Sequence, residues 1–271
     1  MATVKVAFIG AGRMGEALIV GLLAKETLAA GEIIASDVDV DRLSSLSERH
    51  SIKTTTDNAL AAGAADFVVL AVKPQQLEEV VKGLRSVLTS RKTVISIAAG
   101  VTVAGIRRVI EDAGVPIVRV MPNAPALVGR GVSAVVLPKG LAPERQDFVD
   151  GLFRAAGDVV HVDESDIDAV TAISGSGPAY FFLFVRELAK AGAKAGLSEP
   201  TALALARRTF LGSAHLLLET GRSEDELITA VASPGGTTEA ALKVFASEGF
   251  ADIIESAVMA ALRRAEELAQ T

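Results

Sequence analysis

The chain contains no cysteine, no tryptophan and a single tyrosine, Tyr180. Absence of cysteine excludes disulfides, thiol nucleophiles and thiolate metal ligands, and fits a reducing interior. The three histidines, His50, His161 and His215, stand far apart and share no ligand spacing, so no metal site is expected. An excess of basic charge is lacking too. With a net charge of −6, neither nucleic acid nor an anionic membrane surface is an expected partner. No uninterrupted apolar run is long enough to span a bilayer, and the first strand follows no charged-then-apolar leader, so a cytoplasmic protein is expected.

What is present is apolar bulk: 50% of the 271 residues are hydrophobic, enough to bury the cores of two ordinary domains. The chain opens on a buried-strand run, Val4 to Ile9. This leads into Gly10-Ala11-Gly12-Arg13-Met14-Gly15 and then a helical pattern. That order, strand then glycines then helix, is the context a dinucleotide fingerprint requires. Gly10 permits the tight turn, Gly12 lets a pyrophosphate approach the backbone, and Gly15 lets the helix pack close to the strand.

Strand and helix patterns then alternate. Strands are expected at EIIASD, Ala65 to Val72, Thr93 to Ala98, Pro116 to Met121, Gly131 to Leu137 and Val159 to Val162. Helices are expected at VDRLSSLSER, Gln75 to Leu88 and Val101 to Ala113. Such alternation implies an α/β fold, a Rossmann-type doubly wound parallel sheet over residues 1–163. From Glu164 the β-branched runs disappear. Ala and Leu recur at helical spacing through Ala179–Ala195, Pro200–Thr220 and Phe250–Ala269, so residues 164–271 are expected to form a second, all-helical domain. Its segments AYFFLFVREL and TFLGSAHLLL are apolar on more than one face, which points to a homodimer through this domain, or a higher homo-oligomer, with a compact monomeric bundle as the alternative.

Ligands of a doubly wound sheet lie beyond the carboxyl ends of its strands. The residues there are Gly10–Gly15, Ser36-Asp37, Ala71-Val72-Lys73-Pro74, Ala98-Ala99-Gly100 and Met121-Pro122-Asn123. The small side chains of Ala98-Ala99-Gly100 suit a wall for a flat nicotinamide. Asp37 falls about 20 residues past the fingerprint, where an acid holds the ribose 2′-hydroxyl and favours NADH. Ser36 beside it, with Arg13 or Arg42 in reach, would instead serve the 2′-phosphate of NADPH. Both coenzymes stay open. In the helical part, Ser174-Gly175-Ser176-Gly177-Pro178 and Ser233-Pro234-Gly235-Gly236-Thr237-Thr238 are two hydroxyl- and glycine-rich helix starts. The second would leave helix N–H groups pointing at an anion such as a small carboxylate, or be simply a structural cap. Tyr180 is either a core residue or a proton donor.

These segments, FIGAGRMGEAL, AVKP, SIAAGV, MPNAPALVG, SGSGPAY and SPGGTTEAAL, follow one another as in pyrroline-5-carboxylate reductase, which the chain resembles over nearly its whole length. SPGGTT is the most family-specific of them. The resemblance implies reduction of the cyclic imine 1-pyrroline-5-carboxylate to L-proline with NADPH or NADH. It implies coenzyme contacts at Gly10, Ala11, Gly12, Arg13, Met14, Ser36, Asn58, Ala71, Val72, Lys73, Pro74, Ile97, Ala98 and Ala99, with Asp37 as the departure that bears on coenzyme choice. It places the substrate carboxylate at Ser233, Gly235, Gly236, Thr237 and Thr238, and Glu164 near the ring. Thr238 is the candidate catalytic hydroxyl, bonding the ring nitrogen that must be protonated as the imine is reduced. A β-hydroxyacid-type dehydrogenase is the nearest alternative. Its acid is a helix lysine after a glycine-rich start, and here Gly175-Ser176-Gly177 is followed by Pro178-Ala179-Tyr180-Phe181-Phe182. A related imine reductase and a non-catalytic dinucleotide sensor are the other readings. The sensor would have no use for a carboxylate turn.

Overall fold

The computed structural model describes residues 4–111 and 114–269. The chain divides into two compact units, one of residues 1–176 with 261–271 and one of residues 177–260. The packing boundary thus falls after Ser176, some way beyond the change of sequence texture at Glu164.

The first unit is built on an eight-stranded sheet. In chain order it contains β1 (Val6–Ile9), α1 (Arg13–Ala24), β2 (Ile33–Ser36), α2 (Val40–His50), β3 (Lys53–Thr55), α3 (Asn58–Ala64), β4 (Phe67–Leu70) and α4 (Pro74–Leu84). These are followed by β5 (Thr93–Ser96), α5 (Val103–Ile110), β6 (Ile117–Met121), β7 (Gly131–Val136), α6 (Pro143–Arg154), β8 (Gly157–His161) and a short α7 (Ile167–Val170). The strand order is β3-β2-β1-β4-β5-β6-β7-β8. The chain therefore runs outward from β1 on one side, returns, and runs outward from β4 on the other.

Alternation along each strand decides which helix covers which face. Val6 and Phe8 of β1 point into a core with Leu18, Ile19 and Leu22 of α1, Leu46 of α2 and Leu152 and Phe153 of α6. Ala7 and Ile9 point the other way, onto Ala61 and Ala62 of α3, Leu77, Val81 and Leu84 of α4 and Ile106 of α5. All four β1 residues are fully buried, which is why the run reads as continuously apolar.

The expected strands are all present, with two differences from a simple parallel sheet. The β6–β7 pair is antiparallel, Val120 facing Val135. Only a single turn, Ala124–Val128, joins them, too short for the crossover a parallel pair needs. The second difference is an additional edge strand, β3, whose three residues KTT carry no hydrophobic signal, followed by the alanine-rich α3. The helix expected over Val101 to Ala113 is α5, and its final two expected residues lie outside the described residues.

The second unit is helical: α8 (Gly177–Lys194), α9 (Glu199–Thr220), α10 (Glu224–Val231), α11 (Thr237–Ser247) and the first half of α12 (Phe250–Ala269). Within it, only Gly177, Ala189, Ala202 and Ala206 are buried among the described residues. Phe181, Phe182, Leu218 and Ile253 remain at least half exposed. The last turn of α12 rejoins the first unit, where the Leu268 carbonyl lies so near Gly100 that a side chain at Gly100 would sit 3.2 Å from it.

Phe153 is fully buried under the sheet, so Phe153→Ala is expected to destabilise the first unit by about 3–5 kcal/mol. Urea unfolding followed by circular dichroism checks this.

Candidate active site

The loops after β1 and β4 meet at the point where the strand order reverses. Gly10 has φ +98°, and a Cβ there would fall 2.8 Å from the Ala71 carbonyl group. Gly15 is equally constrained, since a Cβ would come 2.7 Å from the Gly10 oxygen. Gly12 differs: nothing lies within 4 Å of where its Cβ would be. It also caps α1 without any side chain, leaving the first N–H groups of that helix, those of Arg13 and Met14, without a side-chain cap. A phosphate group fits such an open helix start, with glycine allowing its approach.

Around this loop the expected coenzyme residues are brought together by hydrogen bonds. Gly10 N–H donates to the Ser36 carbonyl at 2.8 Å, and Ala71 N–H to the Ile9 carbonyl at 2.8 Å. Ile97 N–H donates to the Leu70 carbonyl at 3.2 Å, which aligns the Ile97-Ala98-Ala99 segment beside Ala71-Val72. Lys73 is exposed at the start of α4, with Pro74 as the first helical residue, where its missing N–H costs nothing. Ser36 is fully buried, and its hydroxyl donates to Asn58 Oδ1 at 2.8 Å.

Asp37 occupies the centre of this cluster. Its Oδ2 accepts Ala11 N–H at 2.8 Å and Arg42 Nη1 at 3.0 Å, while Oδ1 accepts Asp39 N–H at 3.0 Å. Burial pushes this carboxyl up, but the N–H groups of Asp39 and Ala11 and the Arg42 guanidinium outweigh it and hold it below the usual aspartate value.

Two polar side chains lie on and just after β6: Asn123, expected among the residues beyond the strand ends, and Arg119, for which no role was expected. Asn123 is buried. Its Nδ2 donates to the Ser174 carbonyl and hydroxyl, both at 3.3 Å, and its Oδ1 accepts Val132 N–H at 2.9 Å. The chain at Thr171–Gly175 forms a π-helical turn, an irregularity common near functional sites, and a Cβ at Gly175 would meet Met121 at 2.8 Å. Arg119 is nearly enclosed, with its side chain 4% exposed. Its Nη1 bonds Glu164 Oε1 at 3.2 Å, and the same oxygen accepts Val103 N–H at 2.7 Å. Glu164, expected near the substrate ring, thus ties the start of α5 to β6. Arg119 Nη2 has no partner among the described residues. A lone arginine inside the apolar run IVRVM was the available signal.

The SPGGTT segment belongs to the second unit. Pro234 and Gly235, the latter at φ +71°, turn the chain so that Gly236 N–H donates to the Ser233 carbonyl at 2.9 Å. Gly235 N–H donates to Glu239 Oε2 at 2.7 Å, and this bond, followed by the one to Lys243, lowers the Glu239 carboxyl below its usual range. The two glycine N–H groups are therefore engaged inside the turn. The donors left uncapped by any side chain are those of the first α11 turn, Thr237, Thr238 and Glu239. Thr238 is half-buried there, while Ser233 is exposed. Among the described residues no cluster of His, Cys, Asp and Glu is suited to a metal ion, and no helix is long and apolar enough to cross a membrane.

Residues 164–268 match a family model described as pyrroline-5-carboxylate reductase dimerisation, and residues 5–100 match one described as NADP oxidoreductase coenzyme F420-dependent. The chain is 41% identical to a pyrroline-5-carboxylate reductase of Corynebacterium melassecola, with 97% of this chain and 98% of that protein covered. It is also 41% identical to one from Pseudomonas aeruginosa, with 100% and 98% covered. Among solved structures, a pyrroline-5-carboxylate reductase from Coxiella burnetii superposes with a TM-score of 0.94 at 38% identity over the whole of both chains. The pyrroline carboxylate reductase of Plasmodium falciparum with NADP bound superposes with a TM-score of 0.86 at 29% identity over 99% of each chain.

Asp37 is charged in the folded protein at a pH where an ordinary aspartate begins to protonate, so its bonds stabilise the fold above that range. The stability difference between wild type and Asp37→Asn is expected to be constant above about pH 5 and to shrink as pH falls below about 4. Thermal unfolding of both proteins across pH 3 to 7 checks the sign.

Proposed function

The chain belongs to the pyrroline-5-carboxylate reductase family, and from that premise we infer how its residues divide the work of the reaction. The protein is an oxidoreductase that reduces 1-pyrroline-5-carboxylate to L-proline with NADPH or NADH, and it is a homo-oligomer. When bound, the reduced nicotinamide supplies a hydride to the carbon of the ring C=N bond.

The coenzyme contacts we propose are Gly10 to Met14, Ser36, Asp37, Asn58, Ala71 to Pro74 and Ile97 to Ala99. The single observation that supports them best is the open helix start at Gly12, beside a Gly10 that no larger residue can replace. Glu164 and Arg119 are positioning residues in this reading. They hold the beginning of α5, and with it the small-residue wall at Ala98 and Ala99, in register with β6.

For the substrate, the SPGGTT turn supplies the anion site. Its carboxylate is received by the uncapped N–H groups at Thr237 and Thr238 and by the Ser233 hydroxyl, while Glu239 keeps the Gly235-Gly236 turn formed. Anchoring the carboxylate fixes the ring and leaves the imine nitrogen near the Thr238 hydroxyl. A threonine is too weak an acid to be the ultimate proton source. Its role is to orient the nitrogen and relay a proton from water, so the acceptor carbon is most electrophilic as reduction occurs.

Homodimerisation is assigned to the helical part, residues 164–271. Its apolar side chains are too exposed, and its buried set too small, for that part to be stable uncovered.

The test is absorbance loss of NADH and NADPH with DL-1-pyrroline-5-carboxylate and quantified L-proline. Proline should accumulate in step with coenzyme oxidation. Thr238→Ala is expected to lower kcat by about 100-fold, with coenzyme affinity unchanged. An unaltered kcat and pH profile would remove Thr238 from the mechanism.

A further inference from the structure

We propose that this chain is an NADH enzyme and that the Asp37–Arg42–Asp39 cluster is the device that rejects NADPH, an inference that rests on the coenzyme reading of the site. The two coenzymes differ only by a phosphate on the adenosine 2′-oxygen, and Asp37, first after β2, is where that oxygen is read in a doubly wound sheet.

Three observations carry the choice. Asp37 is held rigidly, with its side chain 9% exposed, by the N–H groups of Ala11 and Asp39 and by Arg42. A carboxylate has about four acceptor positions, and these three bonds leave one open, on Oδ1. That opening suits a hydroxyl donor. A phosphate dianion has no proton to give and meets a fixed negative charge.

Second, the cation that would rescue a phosphate already has its charge compensated. Arg42 directs Nη1 to Asp37 and Nη2 to Asp39, each at 3.0 Å. A 2′-phosphate reaching the remaining N–H groups of Arg42 would share a single positive charge with two carboxylates that already compensate it. Third, the start of α2 offers no compensation. Asp39 caps the helix through Arg42 N–H, and Asp41 lies in its first turn, so the positive end of the helix is already neutralised. Two carboxylates thus pair with one guanidinium, and Ser36, the neutral donor beside them, has its hydroxyl turned to Asn58.

The experiment measures binding without turnover. NADH and NADPH are titrated by the emission of the bound reduced nicotinamide, against a protein background free of tryptophan. Adenosine 2′,5′-bisphosphate and 5′-AMP are compared by calorimetry. Wild type is expected to bind NADH about tenfold or more tightly than NADPH, with the same order in the adenosine fragments. Asp39→Asn keeps the helix cap but frees Arg42 Nη2, and should narrow the gap by strengthening NADPH alone. Asp37→Asn should narrow it further. Equal or tighter wild-type binding of NADPH, or a gap that neither variant narrows, overturns the proposal. Binding of neither coenzyme would defeat the coenzyme reading itself. NADH binding without reduction of the imine would leave this proposal standing while refuting the activity.

Discussion

At the centre of the sheet the backbone after β1 passes so close to the backbone after β4 that no side chain fits between them. Gly10 adopts a left-handed conformation against the Ala71 carbonyl, and Gly15 of α1 packs on the Gly10 oxygen. The rest of the proposed coenzyme site depends on that contact. It sets the height of α1 over the sheet, opens the helix start at Gly12, and brings Ala11 N–H onto Asp37, so that the glycine turn and the acid after β2 form one hydrogen-bonded piece.

The same contact explains the division of the two cores. With β1 flanked by β2 and β4, its side chains alternate between α1, α2 and α6 on one face and α3, α4 and α5 on the other. Loops at the carboxyl end are thereby held by a fully packed scaffold while remaining irregular themselves, which is where a polar side chain such as Asn123 can be buried with its bonds satisfied. The helical unit follows another logic. It buries small residues where α8 and α9 cross and leaves large ones outside, so it has far less buried apolar surface of its own than the sheet unit.

Much of the fold was legible because both signals involved are local. Continuous apolar runs such as VAFI mark strands buried on two faces, and GAGRMG marks the turn into a helix. Where local signal was weak, the reading was incomplete. The edge strand KTT is polar because it is covered on few sides, and the antiparallel β7 is distinguishable only through the brevity of its connection to β6. Among site residues, the glycines and the SPGGTT turn were visible from their backbone demands. Arg119 was not, because it works through a partner 45 residues away, Glu164, and Asn123 was visible only by its place after a strand, its partner Ser174 being 51 residues away.

The sequence by itself determined the α/β then all-helical order, the glycine turn from strand to helix, the glycine-rich helix start at SPGGTT and the resemblance on which the substrate rests. All of these follow from residue identity at short spacing. Only the tertiary structure decided which donors are already used. Gly235 N–H is taken by Glu239, Glu164 Oε1 accepts Val103 N–H and pairs with Arg119, and Arg42 is shared between Asp37 and Asp39. Hydrogen-bond commitment depends on side-chain direction and on neighbours brought together by folding, so residue order alone left the choice between NADH and NADPH open.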